Sequence, residues 1–570
     1  MADFIKTQNS FANGEVSPEF FACDNINGVS KLENMDVLSS GALSRRRGLS
    51  QIAQLRGPAR LISFSVTNNE EYIIAMTDMH MYIYCNKEKY QDLKTPWPYD
   101  SLPTLQYAQR FGAMIFVHPD FPPYVLKKQG NVFSVERFSF EITETFQEKI
   151  PFMKFDDAEN VRIKLSPHTN GNNFAIFTTS KSFWKPSCVG SRLLLLDKQW
   201  EITEYLSPTQ VVAYVNASYT MPDGWVTDWY ESAFSEHRGW PRSITFHQDR
   251  LVFGGTRDWP SGIWMSQVGR HRNFDAGTGL DDEAIFVSLL SQERQQINTL
   301  VSSNNLQILT NSGEWAIASK PLTPTNVDIK QHTFVGSYTT RFLPPQKIDG
   351  STVFVAASGR DIRELSLDEI GENYNANDLC AFAKHLMTTP IDIAYNQDTH
   401  QLFVVRDDGK MAVLNQNQSL GISAWGTYVT DGKFISVGVC DGITYTVTQR
   451  GNSVFLEYFD DNALTDAGGY NFSFTASGLP LRSSGHSASR IKVRKISARV
   501  LNTKSVYINQ HRMTLPDYVY NNNSSGYSGD VSLNQLGTMQ NTIEPLWKIH
   551  GDEPLCTTVL SVTVYGWYTV

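Results

Sequence analysis

The main pattern along the chain is an alternation of apolar and polar residues with a period of two, which is typical of β-strands. Short apolar runs, such as residues 72–76 and 402–405, are bounded by Gly, Asn, Asp or Pro. Between two such runs the chain places Asp408-Gly409, a dipeptide that favours a tight hairpin turn. The sequence therefore predicts an all-β protein, and residues 378–386 are the best candidate for a short helix.

The strand runs group into seven similar units, each consisting of a strand, a tight turn and a second strand. The units begin near residues 60, 104, 243, 297, 351, 391 and 434. Apart from the interval after residue 104, the steps are close to the roughly 40 to 50 residues of a four-stranded propeller blade. We expect an irregular β-propeller of about seven blades, which leaves few free strand edges.

The spacing also predicts the domain organisation. Residues 1–59 form an N-terminal segment that contacts neighbouring molecules, and residues 60–129 form the first part of the propeller. Residues 130–238 form an inserted β-rich domain that projects from the ring, and residues 239–460 form the second part of the propeller. Residues 461–570 form a linker rich in Gly, Ser and Asn, followed by a C-terminal β-rich domain.

Composition narrows the possible functions. The net charge of −9 argues against a protein that grips nucleic acid over its whole surface, because such binding needs many cations. Six scattered cysteines without a C-x-x-C pair indicate neither a zinc site nor a compact disulfide framework. The first ten residues lack the apolar core of a signal peptide, and no apolar stretch is long enough to span a membrane. We expect a protein that stays in a cytoplasm until it is assembled.

A series of short motifs resembles the tail nozzle proteins of short-tailed bacteriophages, also called tail tubular protein B. Their order is maintained from residue 8 to residue 458, whereas the insertion and residues 461–570 match poorly. Two departures are Arg47, where many relatives place proline, and Gly112, where an acidic residue is common. The matching segments include Ser10-Phe11-Ala12-Asn13-Gly14-Glu15-Val16-Ser17-Pro18, Arg45-Arg46-Arg47-Gly48, residues 105–123, Gly239-Trp240-Pro241, residues 248–256, residues 309–315, residues 359–364 and residues 405–409.

The resemblance implies a structural virion protein and no enzymatic activity. It implies a homohexameric ring below the portal and tail adaptor that extends the DNA ejection channel and gates DNA exit. The partners implied are the adaptor, tail fibres, double-stranded DNA in the lumen and the host envelope at ejection. The implied location is the virion tail, after assembly in the host bacterial cytoplasm.

Two basic clusters are the candidate contact sites. Arg45, Arg46 and Arg47 lie in a glycine-flanked turn, where they would touch the adaptor or passing DNA, or remain solvated. Arg490, Lys492 and Arg494 alternate with apolar residues. That pattern is typical of an edge strand protected by positive charges, with DNA contact as the alternative.

No motif points to a cofactor, a metal site or a catalytic residue. Neither a G-x-S-x-G nucleophile motif nor a phosphate-binding G-x-x-x-x-G-K-[ST] loop occurs. We interpret two candidate clusters as structural, because neither has the spacing of metal ligands. They are the set His237, His247, His271, Asp249 and Asp258, and the set Asp460, Asp461, Asn462 and Asp466.

The main alternative is a phage propeller enzyme that degrades host surface polysaccharide. Acids at residues 281–283 and 407–408 would then flank the scissile bond, and tryptophans at residues 225–264 would stack on sugars. We expect these tryptophans to fill space between blades or subunits instead. A trimeric tail spike would need a short β-helix repeat, which the sequence lacks.

Overall fold

A computed structural model provides the structure of the chain. It describes residues 2–21, 26–67, 70–144, 147–169, 171, 173–368, 370, 373–480, 491–516, 519, 525–534, 539–540 and 544–568. By its own contacts the chain divides into two compact units. Unit 1 comprises Met1–Phe64, Glu70–Tyr99 and Leu343–Val570, and unit 2 comprises Ser65–Asn69 and Asp100–Phe342.

The first part of the chain supplies an N-terminal segment and two blades. Inner strands of the blades are buried on both faces, so that residues 72–77 and 306–310, for example, are all buried. The N-terminal strands are β1 (Ala2–Gln8), β2 (Gly14–Glu15), β3 (Gly28–Val29), β4 (Lys31–Glu33), β5 (Met35–Val37), β6 (Leu43–Arg45) and β7 (Gly48–Leu55). Blade 1 has β8 (Arg60–Thr67), β9 (Glu70–Thr77), β10 (His80–Cys85) and β11 (Glu88–Lys94), and blade 2 has β12 (Gln106–Arg110), β13 (Ala113–His118), β14 (Phe121–Gln129) and β15 (Val132–Arg137).

The insertion forms one seven-stranded sheet inside unit 2, in the order β16-β22-β19-β20-β21-β18-β17. The predicted start at residue 130 is too early, because β15 still pairs with β14 of blade 2. One apolar core runs through the insertion and blades 2 and 3, so the insertion is packed onto these blades. Its strands are β16 (Phe152–Met153), β17 (Ile163–Pro167), β18 (Phe174–Thr179), β19 (Arg192–Leu195), β20 (Lys198–Ser207), β21 (Gln210–Val215) and β22 (Trp229–Ser232).

Five further blades follow the insertion, as predicted. Blade 3 has β23 (Ser243–His247), β24 (Arg250–Gly254), β25 (Gly262–Met265) and β26 (Ile285–Ser288). Blade 4 has β27 (Ile297–Ser302), β28 (Leu306–Thr310), β29 (Glu314–Ile317) and β30 (Ile329–Thr333), and blade 5 has β31 (Gln346–Ile348), β32 (Ser351–Val355), β33 (Ile362–Leu367) and β34 (Tyr374–Asp378). Blade 6 has β35 (Pro390–Asn396), β36 (Gln401–Arg406), β37 (Met411–Asn417) and β38 (Ile422–Tyr428), and blade 7 has β39 (Lys433–Cys440), β40 (Ile443–Arg450) and β41 (Ser453–Asp460).

The N-terminal segment completes blade 7. Strand β7 pairs antiparallel with β41 and becomes the fourth strand of that blade. Residues 48–55 therefore belong to the propeller of their own chain, so the predicted end of the N-terminal segment at residue 59 is too late. Contact of this segment with neighbouring molecules stays a prediction. With this strand in place, the chain is a seven-bladed β-propeller with additional domains.

The two ends of the chain fold together in unit 1. Strands β1, β5 and β6 join a sheet with β43, β46, β47 and β49, while β4 links blade 6 to β42, β48, β44 and β45. An apolar core contains residues from both sheets. The C-terminal strands are β42 (Phe474–Ser477), β43 (Ile491–Thr503), β44 (Tyr507–Ile508), β45 (His511–Arg512), β46 (Tyr527–Asn534), β47 (Met539–Gln540), β48 (Lys548–Gly551) and β49 (Thr558–Tyr568).

Helix is confined to short 3₁₀ turns in the part of the chain that the structure describes. The predicted helix at residues 378–386 is wrong: strand β34 ends there, and one 3₁₀ turn follows. The predicted linker also contains a buried strand, β42. The 3₁₀ turns are Pro18–Phe20, Tyr99–Thr104, Asp156–Ala158, Pro186–Cys188, Lys384–Leu386, Gln418–Leu420 and Ala467–Gly469.

Candidate functional site

The predicted arginine cluster begins with two buried side chains that hold unit 1 together. Arg46 is fully buried and donates from Nη1 and Nη2 to the two carboxylate oxygens of Asp466, both at 2.8 Å. Its Nε donates to Asn34 Oδ1 at 2.8 Å, and its guanidinium lies 3.6 Å from the centre of the Phe472 ring. Arg46 is therefore unavailable to a partner molecule, which corrects its assignment as a contact residue.

Arg45 is also buried, because β6 carries it against the C-terminal strands. Its Nη2 donates to Phe472 O at 3.0 Å, and its Nη1 donates to Leu555 O at 3.2 Å. Burial, and secondly the neighbouring Arg46 charge, lower the pKa of Arg45 to about 10. The guanidinium remains charged at neutral pH and ties the two chain ends to each other. The prediction of Arg45 as an exposed contact residue is therefore wrong as well.

Arg47 is the exposed member of the cluster. Its Nη1 lies 2.6 Å from Asp461 Oδ1, and both side chains are about half or more exposed. Arg47 lines a cleft of about 230 Å³ that is bounded by blades 6 and 7, by the N-terminal segment and by the hairpin between β10 and β11 of blade 1. We call this the inter-blade cleft; its other lining residues are Asp36, Lys87, Thr399, Gln401, Phe403, Tyr428, Gly442, Ile443, Thr444, Tyr458, Phe459, Asp460, Asp461 and Asn462.

Asp36 is the central polar group of the inter-blade cleft. Strand β5 places its carboxylate so that Oδ1 accepts a hydrogen bond from the Tyr428 hydroxyl and another, at 2.8 Å, from Gln401 Nε2. Burial raises the pKa of Asp36 despite these hydrogen bonds and the nearby Arg47 and Arg46 charges. Burial and the Asp36 charge likewise raise the pKa of Tyr428 well above its usual value. The carboxylate is thus held in a poorly solvated position.

Aromatic rings form the walls of the cleft. The rings of Phe403 and Phe459 stack with their centroids 5.8 Å apart, and the ring centroid of Tyr428 lies 5.7 Å from that of Phe459. At the rim, Lys87 places its ammonium 3.9 Å from the centre of the Tyr458 ring. The cleft can therefore offer a cation both carboxylate and aromatic contacts.

No sequence motif reveals this site. Asp36, Gln401 and Tyr428 lie far apart in the chain and belong to no motif. The available signal was indirect: Asp36 stands between apolar residues on β5, where a charged side chain needs a polar neighbour. Local patterns cannot identify that neighbour.

The N-terminal motif anchors the segment to blade 6. Gly14 has φ +60°, and a Cβ there would lie 2.4 Å from Trp425 O. Glu15 accepts hydrogen bonds from Leu32 N at 2.7 Å and from His385 Nε2 at 2.9 Å. The motif that carries the family resemblance therefore has a structural role in this chain.

The second basic cluster lies on strand β43. This strand pairs with β49 on one side and with β46 and β47 on the other, so it is not the predicted edge strand. Lys492 lies 5.5 Å from the centre of the Trp567 ring, and Arg494 is exposed. Charged and apolar residues alternate on β43 because one face of the sheet packs on the core and the other faces outward. Arg490 lies outside the described residues, and DNA contact at Lys492 and Arg494 stays a prediction.

The candidate metal ligands serve other contacts. His237 Nδ1 lies 3.0 Å from Ser187 Oγ, and His247 Nδ1 lies 2.9 Å from Ser302 Oγ. Within the described ranges, no three His, Cys, Asp or Glu side chains are grouped so that they could hold a metal ion. Among the described residues, none of the helices has the length and hydropathy of a membrane span.

One of the acids and two of the tryptophans considered for glycan cleavage are bound into the fold, whereas Trp225 is 43% exposed. Glu283 Oε2 accepts three backbone N–H groups, from Thr278, Gly279 and Leu280, and these hydrogen bonds lower its pKa. Trp229 and Trp264 are buried in the core shared by the insertion and blade 3. These groups stabilise loops and packing.

Comparisons with known proteins find solved structures of WD40 domains, all with TM-scores below 0.5. No family profile and no curated protein matches the chain. Similar solved structures include the Neurospora crassa Pan2 WD40 domain, with a TM-score of 0.34, 11% identity and coverage of 73% of this chain and 97% of that chain. The RRP9 WD40 repeats have a TM-score of 0.36, 8% identity and coverage of 73% and 100%. The C-terminal WD40 domain of Sif2 has a TM-score of 0.35, 10% identity and coverage of 73% and 99%. These values carry no information about function.

Proposed function

We propose that this protein is the tail nozzle subunit of a short-tailed bacteriophage, which assembles into a homohexameric ring below the tail adaptor. The ordered series of motifs between residues 8 and 458 is the observation that carries the proposal. In this chain the motif residues Gly14 and Glu15 fix the N-terminal segment to blade 6. A rigid subunit is what a pipe under DNA pressure requires.

The buried contacts between the chain ends support the mechanical part of this proposal. Blade 7 is closed by β7, and Arg46 with Asp466 fastens that closure. A propeller closed by strand pairing opens only when several hydrogen bonds break together. Each subunit would therefore keep its shape while DNA passes.

An exposed aromatic side chain supports self-association. Phe111 has φ +49° in the turn between β12 and β13, and its side chain is 85% exposed. A phenylalanine is disfavoured in this backbone conformation, and its ring is exposed to water apart from a contact with the Arg110 guanidinium, which lies 4.6 Å from the ring centre. Burial of Phe111 against a neighbouring subunit would compensate for both.

The net charge of −9 fits a conduit that does not retain the polyanion passing through it. In the proposed role the inserted domain narrows the opening through which DNA leaves the channel. Because its core is continuous with blades 2 and 3, gating of DNA would come from its loops and not from rotation of the whole domain.

Immunogold labelling of phage particles tests the proposed location. We expect gold at the tail tip of intact virions and at the outer end of isolated tails. Label on fibres only, or no label on particles, would overturn the proposal. The alternative enzyme is tested separately, by measuring release of reducing sugar from host surface polysaccharide, where we expect none.

A further inference from the structure

The inter-blade cleft contains two carboxylates, Asp36 and Asp460, and one ammonium, Lys87, beside the ion pair of Arg47 with Asp461. Arg46 is paired with Asp466, and Arg47 with Asp461. Within the part of the chain that the structure describes, the Asp36 carboxylate accepts hydrogen bonds only from the neutral Tyr428 and Gln401 side chains.

The second inner carboxylate, Asp460, accepts hydrogen bonds from Ser50 Oγ at 2.8 Å, Tyr458 OH at 3.1 Å and Asn462 N at 3.0 Å. The Lys87 ammonium at the rim of the cleft attracts the Asp460 carboxylate electrostatically and can offset one of the two carboxylate charges. One further monovalent cation would balance the cleft.

The geometry favours an ammonium over a guanidinium. Both hydrogen bonds to the Asp36 carboxylate use Oδ1, so Oδ2 is the oxygen that remains to receive a donor. A guanidinium binds a carboxylate best through both oxygens, whereas an ammonium is satisfied by one. The rings of Phe403, Tyr428 and Phe459 would surround its alkyl stem.

Lys87 shows how the cleft receives such a group. Its ammonium lies over Tyr458 at the mouth, on a hairpin where Lys87 itself has φ +67°. The volume of about 230 Å³ exceeds the roughly 30 Å³ of one water molecule several-fold, so a small amine fits beside Lys87.

We propose that the inter-blade cleft binds a primary alkylammonium group, with Asp36 Oδ2 as its carboxylate partner and the aromatic walls around its stem. The group belongs either to a free aliphatic amine or to a lysine side chain of another protein. This inference is independent of the tail nozzle role.

Isothermal titration calorimetry of the full chain at pH 8 tests the proposal. The probes are putrescine for a free amine, Nα-acetyl-lysine methylamide for a lysine side chain, and 1,4-butanediol as a neutral match for putrescine. We expect at least one amine to bind and the diol not to bind. Binding of putrescine alone assigns the site to a free amine, and binding of the lysine mimic alone assigns it to a protein side chain. If neither amine binds, the proposal is wrong.

Two variants separate this site from nonspecific attraction. Asp36→Asn keeps the shape and an acceptor for Tyr428 and Gln401, and should weaken amine binding about tenfold or more, as expected for loss of a charge-assisted hydrogen bond. Lys87→Met removes the internal competitor and should strengthen binding about threefold. Asp530→Asn, a surface change of the same charge on β46, should leave affinity unchanged. Equal amine affinity in the wild type and Asp36→Asn would overturn the proposal, as would weaker binding by Lys87→Met.

Discussion

Arg46 and Asp466 form a buried, bidentate ion pair, although they are 420 positions apart in the chain. The pair joins the turn before β7 to the segment that follows blade 7. Asp466 Oδ2 also accepts a hydrogen bond from Thr430 Oγ1, at 2.8 Å. The closure of the propeller and the docking of the chain ends therefore depend on the same contact.

Removal of one charge of this pair should strongly destabilise unit 1. Asp466→Asn leaves the Arg46 charge buried without its counter-ion, which should lower the free energy of unfolding by about 3 to 5 kcal/mol. Urea unfolding followed by tryptophan fluorescence measures the change. Asp461→Asn is the matched control, because its pair with Arg47 is exposed and should contribute less than about 1 kcal/mol. Similar losses in both variants would contradict the structural role of the buried pair.

Gly14 should be intolerant of any side chain. In Gly14→Ala the new Cβ would meet Trp425 O at 2.4 Å, in addition to the strain of φ +60°. Gly421 is the control, since it has φ +67° and no atom lies within 4 Å of the position that a Cβ would occupy there. We expect a loss of about 1 kcal/mol for Gly421→Ala and about 3 kcal/mol for Gly14→Ala, measured by urea unfolding. Equal losses would show that steric overlap with Trp425 is unimportant.

Stability should fall as the pH drops below 6.5, and His118 should account for part of the fall. Asp120 N donates to its Nδ1 at 3.1 Å, so its proton is on Nε2, which donates to Thr104 Oγ1 at 2.7 Å. Burial lowers the pKa of His118 from 6.5 to about 4. As the pH falls, this histidine takes up a proton in the unfolded chain at a higher pH than in the folded chain. The contribution of neutral His118 to the free energy of unfolding is therefore fully present above pH 6.5 and is lost between pH 6.5 and 4.

Urea unfolding at pH 7.5, 6 and 5 measures this loss, which is limited to about 3 kcal/mol for one such histidine. His118→Gln should reduce the dependence on pH without abolishing it, because burial also lowers the pKa of His237 to about 4. An unchanged pH dependence in His118→Gln would exclude His118 as a source.

Phe111 should be needed for assembly and not for folding. Asn tolerates a positive φ, so Phe111→Asn should leave the free energy of unfolding unchanged or raise it by up to about 1 kcal/mol. Loss of the aromatic contact should weaken self-association about tenfold or more, measured by sedimentation equilibrium. A variant that assembles as well as the wild type would remove Phe111 from the interface.

The propeller could be predicted because local sequence patterns determine the strands and turns of its blades. Alternation sets each strand, and turns such as the one at Gly409, with φ +83°, set each hairpin. The short strand β31 was missed because three residues carry too little pattern. Residues 378–386 resembled a helix in composition, yet pairing of β34 with β33 fixes their first residue in a strand.

The contacts of the chain ends and of the cleft could not be predicted. Whether β7 pairs with β41, or Arg46 with Asp466, depends on how distant segments meet, and local sequence does not encode this. Three arginines in a glycine-flanked turn resemble a solvated patch. Only the fold reveals that two of them are buried and that the third lines the inter-blade cleft.

Electron microscopy of the purified protein, with particle images averaged for rotational symmetry, tests whether the subunits assemble into a nozzle. The proposed tail nozzle predicts a hollow ring with six-fold symmetry. Particles that remain compact monomers without a shared pore, at every concentration and in isolated tails, would contradict it.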